Sequence, residues 1–219
     1  MAVVTFSRQF GSGGDEIAAR VGELLHYRYF DKQLMLQVAS EMGLCHDGIL
    51  DLSEDRFEVR HFLSRLFQAG PRIKVWGTDE AGQYTLSDQE LDEDRCIDLI
   101  KQTIQAVYEQ GNTIIVGRGG QAILHDKTDV IHVRIVAPLK DRIVRLRDQG
   151  ARGIADIKVA INQHDKATAE YLKRFFDINW NDASLYHLVI NTGKVDAENA
   201  AQLIVTAVKQ IQPELAIHK

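Results

Sequence analysis

Val3-Val4-Thr5-Phe6-Ser7-Arg8-Gln9-Phe10-Gly11-Ser12-Gly13-Gly14-Asp15-Glu16-Ile17-Ala18 constrains this chain more than any other stretch of it. Val3 to Phe6 is a β-branched and aromatic run of the kind that forms a buried strand. The glycines that follow permit positive φ and a close approach of the backbone to a ligand. Ile17, Val21, Leu24 and Leu25 then recur at helical spacing, so the segment reads strand, tight turn, helix. The first amides of a helix lack intrahelical acceptors and carry partial positive charge, and a glycine turn lets them converge on one anion with no Cβ in the way. A phosphate belongs at such a junction. Against the phosphate-loop pattern G-x-x-x-x-G-K-[ST], anchored on Gly13, Arg8 stands at the first glycine, Gly14 at the lysine and Asp15 at the hydroxyl position.

The 219 residues, 45% of them hydrophobic, suffice for a real core and suit one domain with inserted segments better than two full domains. A net charge of −5 with few clustered Lys and Arg argues against a nucleic-acid partner. No apolar run approaches membrane-spanning length, and Met1 leads into a core strand rather than a signal peptide, so we expect a cytoplasmic protein with no membrane partner. Cys45 and Cys96 are too few for a disulfide framework and show no metal-ligand spacing, so neither receives a role.

Apolar runs at Val3 to Phe6, Tyr27 to Phe30, Thr113 to Val116, Val130 to Val136 and Leu185 to Ile190, with helices between them, predict a parallel sheet wrapped by helices. The expected helices run from about Asp15 to Leu25 and from about Asp88 to Gln110, the latter stopped at Gly111. A closing amphipathic helix from about Ala197 to Ile211 carries Ala200, Leu203, Ile204, Ala207, Val208 and Ile211 on one face. Two excursions break this rhythm. Leu44 to Ser87 holds a helical Arg56-to-Phe67 stretch and a hairpin around Asp79-Glu80-Ala81-Gly82, and a charged segment runs from about Asp148 to Asp182. Segments of this kind carry substrate contacts and move as lids.

A glycine-rich turn alone does not decide the ligand. Gly11-x-Gly13 followed by Asp31 at the end of a second strand also suits a dinucleotide-binding domain, although Glu16 then occupies the third glycine position. A purely structural turn, with Asp15 and Glu16 stabilising the helix start, is the remaining reading.

Four motifs bear on this choice: Ser7-Arg8-Gln9-Phe10-Gly11-Ser12-Gly13-Gly14, Tyr29-Phe30-Asp31-Lys32, Ile115-Val116-Gly117-Arg118-Gly119, and Tyr186-His187-Leu188-Val189-Ile190-Asn191-Thr192. Together and in this order they resemble the cytidylate kinase-like family, a divergent branch of the P-loop nucleoside monophosphate kinases. The resemblance implies a three-layer α/β P-loop fold with a five-stranded parallel sheet. Its core would comprise 1–43, 88–147 and 183–212, with an NMP-binding insertion at 44–87 and a lid at 148–182. It implies an ATP- and Mg²⁺-dependent phosphotransferase acting on a nucleoside monophosphate, CMP or dCMP favoured. The alternative is a nucleotide-binding regulatory protein that keeps the fold without the chemistry.

Phosphoryl transfer asks for positive charge and aligned donors around the phosphates. The loop at Gly11, Ser12, Gly13, Gly14, Asp15 and Glu16 is expected to surround the donor phosphates, with Arg8 partly replacing the missing lysine. Arg118 sits between glycines at a strand's C-terminal end and so faces the crevice where open α/β sheets bind ligands. By resemblance to the family's Gly-Arg element it would grip the acceptor phosphate. Asp31 resembles the acid that opens the acceptor-binding segment, and capping of the following helix is its other reading. Arg142 and Arg145 share a helical face after the fourth strand and complete the expected catalytic cations. Asp165 resembles the family's lid aspartate, but Thr168 stands where an arginine usually follows. Asp15 likewise stands where relatives commonly carry a basic residue. Asp15 and Glu16 are reconciled with a triphosphate if they hold Mg²⁺, directly or through water. The apolar face of Phe57, Phe62, Leu63, Leu66 and Phe67 packs on the core or on a second subunit, which makes a homodimer the oligomer to test.

Overall fold

The computed structural model describes residues 2–30, 72–78, 84–90, 93–151 and 153–211. In chain order these form β1 (Val3–Arg8), α1 (Gly14–Leu25), β2 (Arg28–Phe30), β3 (Arg72–Thr78), β4 (Tyr84–Glu90), α2 (Glu93–Gln110) and β5 (Thr113–Val116). They continue with α3 (Gly120–Ile123), β6 (Val130–Val136), α4 (Leu139–Asp148), α5 (Ile154–Phe176), a 3₁₀ turn (Ala183–Leu185), β7 (Leu188–Asn191) and α6 (Ala197–Ile211). Asp31, the Arg56-to-Phe67 stretch and its apolar face lie outside the described residues.

Five strands make one parallel sheet in the order β2-β5-β1-β6-β7. The apolar runs of β1, β5 and β6 are continuous rather than alternating because helices cover both sides of the sheet. On one side α1 and α6 bury Ile17, Ala18, Val21, Ala200, Ala201, Ile204 and Val208 against Val4, Phe6, Ile114, Ile131 and Ile135. On the other, α2 and α5 bury Ile97, Ile100, Ile104, Tyr171 and Leu172 against Val3, Ile115 and Val130. The result is the expected three-layer α/β arrangement. The strand order removes the dinucleotide alternative, whose sheet keeps the first two strands adjacent. Here β5 lies between β1 and β2.

Several details differ from expectation. α2 begins at Glu93 rather than Asp88, because Asp88 and Gln89 pair with Lys74 and Ile73 in the antiparallel β3–β4 hairpin. The turn of that hairpin lies outside the described residues. β7 begins at Leu188, since Ala183–Leu185 close a 3₁₀ turn on the Asp182 carboxylate, which accepts from the Ser184 amide. The charged second excursion is mostly one helix of 23 residues, α5, whose buried Ile157, Ile161, Thr168, Tyr171 and Leu172 repeat at helical spacing beneath the surface charge. On α6 the face is shifted: Leu203 is 54% exposed, while Ala201 and Val205 are buried.

Candidate functional site

β1 is the central strand, and the turn that follows it lies at the C-terminal edge of the sheet, where ligands of open α/β sheets bind. Gly11 and Gly13 adopt φ of 75° and 80°, so both need the left-handed region that glycine occupies without strain. A Cβ on Gly14 would lie 2.5 Å from the Cβ of Arg8, and one on Gly11 would lie 2.9 Å from Leu146 of α4. The glycines thus serve packing as well as turning. Gly13 caps α1 with no side-chain hydrogen bond, so the first turn of the helix is left without a side-chain acceptor.

Around that helix start the structure collects polar atoms with no internal use. Ser12 is fully buried and its Oγ has no hydrogen-bond partner among the described residues; its carbonyl accepts from Thr192 Oγ1 at 2.7 Å. Arg145 donates through Nη2 to the Thr192 carbonyl at 2.8 Å, while its buried Nη1 has no hydrogen-bond partner among the described residues. A buried hydroxyl and a buried guanidinium nitrogen left open beside uncapped amides fit an anionic group that supplies the missing acceptors. Thr192 ties loop, α4 and the end of β7 together. It closes a quoted motif, yet sequence reasoning assigns it nothing, since a threonine after a strand carries no signal of its own.

Arg142 and Arg145 share a face as expected but diverge in use. Arg142, buried, donates through Nε to the Phe10 carbonyl and through Nη2 to Asp165, both at 2.7 Å. The second Asp165 oxygen accepts from the Phe10 amide at 3.0 Å. One carboxylate from α5 therefore clamps the loop and α4 together, reinforced by His164 stacking on Phe10 with centroids 4.1 Å apart. Gln9 fixes the loop's entry, donating its amide to the Ile135 carbonyl and accepting from the Ala137 amide through Oε1, each at 3.0 Å.

Arg8 is paired with Asp15 at 2.8 Å. Asp15 and Glu16 occupy consecutive positions of α1 and both are exposed, and the Asp15 carboxylate accepts from Arg8. Among the described residues no three His, Cys, Asp or Glu side chains gather as a metal site.

Arg118 is buried beside the end of β1, where the Gly117 amide donates to the Phe6 carbonyl at 2.8 Å. Gly117, Arg118 and Gly119 have φ of 72°, 62° and 71°. For arginine that conformation costs about 1 kcal/mol or more, a strain that collects at functional sites. A Cβ on Gly119 would come within 2.6 Å of the Phe176 ring, so the end of α5 sits directly on this turn.

The model of the cytidylate kinase-like family matches residues 3–194, which spans the loop, the Gly-Arg turn, α4, α5 and β7. This chain belongs to the cytidylate kinase-like family. A cytidylate kinase of Saccharolobus islandicus is 24% identical over 213 residues, covering 95% of this chain and 92% of that protein. One of Pyrococcus horikoshii is 23% identical, covering 80% and 90%. Among solved structures, an uncharacterized protein from Eubacterium ventriosum superposes with a TM-score of 0.64 at 18% identity, covering 95% of this chain and 99% of that one. TT1252 from Thermus thermophilus gives 0.51 at 12% identity, covering 96% and 97%. These likenesses carry the fold. The two departures from the family's expected pattern, Asp15 and Thr168, come together in space: they line one small polar cleft with Arg8, Phe10, His164 and Asp165.

Proposed function

We propose that this member of the cytidylate kinase-like family is an ATP-dependent phosphotransferase that phosphorylates a nucleoside monophosphate, CMP or dCMP in preference. The observation that carries the reading is the open donor set at the start of α1, where Ser12 Oγ and Arg145 Nη1 are buried without partners among the described residues, beside a helix end that no side chain caps. Such donors at a helix start suit a polyphosphate, whose charge the guanidinium and the helix end offset as transfer proceeds. Arg118, Asp165 and Asp31 are assigned to the acceptor side on the strength of the family resemblance. Mg²⁺ enters on the nucleotide's phosphates, which suits an ion that keeps its waters and needs few protein ligands. The names of the relatives above support the acceptor class.

The Arg8–Asp15 pair favours a second reading, a nucleotide-binding protein without turnover, because it neutralises a loop cation at the place where charge is needed. Purified protein with ATP and Mg²⁺, offered CMP, dCMP, UMP and AMP in turn, separates the two. Acceptor-dependent ADP formation that disappears in Arg118→Ala supports the kinase. ATP binding without turnover for any acceptor supports the second reading, and loss of all nucleotide binding removes both.

A further inference from the structure

Arg134 lies on β6 opposite Ser7 of β1 and is 3% exposed. The groups in direct contact with it are neutral. Nη2 donates to Asn181 Oδ1 at 2.7 Å and Nη1 to Tyr186 Oη at 3.4 Å, and the guanidinium carbon stands 4.3 Å from the Trp180 ring centroid and 5.5 Å from that of Tyr186. Among the described residues no carboxylate lies within ion-pair distance of it. A charge this deeply buried is costly unless paired, and burial holds its pKa below the usual arginine value.

Its position relates that charge to the loop. Ile135, the next residue, accepts the Gln9 amide through its carbonyl and presents its side chain to Gly14. Trp180, which stacks on the guanidinium, donates Nε1 to Ser7 Oγ at 2.7 Å, two residues before the loop begins to turn. Asp165, held on the Phe10 amide, is near enough to act on Arg134 electrostatically.

We propose that Arg134 is an electrostatic positioning residue: a fixed positive charge near the end of β1, balanced by the anionic ligand rather than by a carboxylate in direct contact with it. The inference rests on the phosphate-binding reading above. It supplies, from the face of the sheet opposite α1, charge that the loop lacks at Gly14 and that Asp15 offsets at Arg8. A purely structural Arg134 would instead cement Trp180 and Tyr186 to β6 through stacking and hydrogen bonds, and its charge would be incidental.

The two accounts part in calorimetric binding of inorganic tripolyphosphate to wild type, Arg134→Met and Arg134→Lys, with thermal unfolding of each recorded in parallel. Methionine keeps the apolar contact with Trp180 and loses the charge; lysine keeps the charge and loses the planar fork. A charge role gives about tenfold weaker binding in Arg134→Met, with Arg134→Lys within about threefold of wild type, and a wild-type affinity that falls more steeply with salt than that of Arg134→Met. Equal losses in both variants, or wild-type affinity in Arg134→Met, overturn the proposal. Wild type that binds no tripolyphosphate overturns the phosphate-site reading itself, and this inference with it. If Arg134→Met does not fold, the comparison of Arg134→Lys with Arg134→Gln carries the same test.

Discussion

At the scale of single residues, this protein buries polar groups in two different ways. Ser12 Oγ and Arg145 Nη1 are buried without a hydrogen-bond partner among the described residues, whereas His132 is enclosed in the sheet. His132 Nδ1 lies 2.7 Å from Thr5 Oγ1, and its backbone amide donates to His187 Nδ1 at 2.9 Å. Burial, helped by the nearby His187 ring, lowers its pKa from 6.5 to about 4. Between those values the unfolded chain takes up a proton that the folded chain refuses. Stability is therefore independent of this group above pH 6.5 and declines as pH falls toward 4, by at most about 3 kcal/mol. Urea denaturation near pH 7.5 and near pH 5 measures the difference, which we expect to shrink in His132→Phe. A difference unchanged in that variant would assign the pH dependence to other groups. The glycines of the loop were legible from sequence because their requirement is local: positive φ at Gly11 and Gly13 is a demand of the turn itself. The partners of the arginines were not legible, since Arg142 meets a residue 23 positions away and Arg145 one 47 positions away.

At the scale of elements, the decisive contact is between α5 and the loop. The Asp165 carboxylate receives the Phe10 amide and the Arg142 guanidinium, and so holds three segments in one register. Removing it as Asp165→Ala leaves Arg142 buried with its charge unpaired, so the loss should reach about 2 kcal/mol. A double-mutant cycle with Arg142→Met, read by chemical denaturation, should show coupling of about 1 kcal/mol or more. Additive losses would mean that the clamp contributes packing only. The charged residues of α5 hid its helical repeat in the sequence, where Ile157, Ile161, Tyr171 and Leu172 are diluted by solvated neighbours. The start of α2 was misplaced for the opposite reason: Asp88 to Glu90 are polar enough to begin a helix, yet pairing with β3 holds them extended.

At the scale of the whole molecule, β1 lies at the centre of a sheet covered on both sides, and the candidate site is where its C-terminal end meets α1, α4, α5 and the end of β7. A ligand that bridges so many elements stabilises the fold as a unit. ADP or ATP at about a hundredfold over its Kd should add about 2.7 kcal/mol and raise the unfolding midpoint by several degrees, readable by calorimetry. An unchanged midpoint with ATP, ADP, CMP and dCMP would count against nucleotide binding of any kind. No helix among the described residues is long and apolar enough to cross a membrane. The sequence by itself determined the strands, the glycine turn, the closing helix and the family, because hydrophobic period, backbone freedom and motif order are properties of neighbouring residues. Only the tertiary structure decided that β5 divides β1 from β2, that Asp15 claims Arg8, that Asp165 claims Arg142, and that Arg134 lies buried with no carboxylate in direct contact among the described residues. Each of these depends on which distant segments pack together, and charge is assigned to a partner only after packing has brought the two within reach.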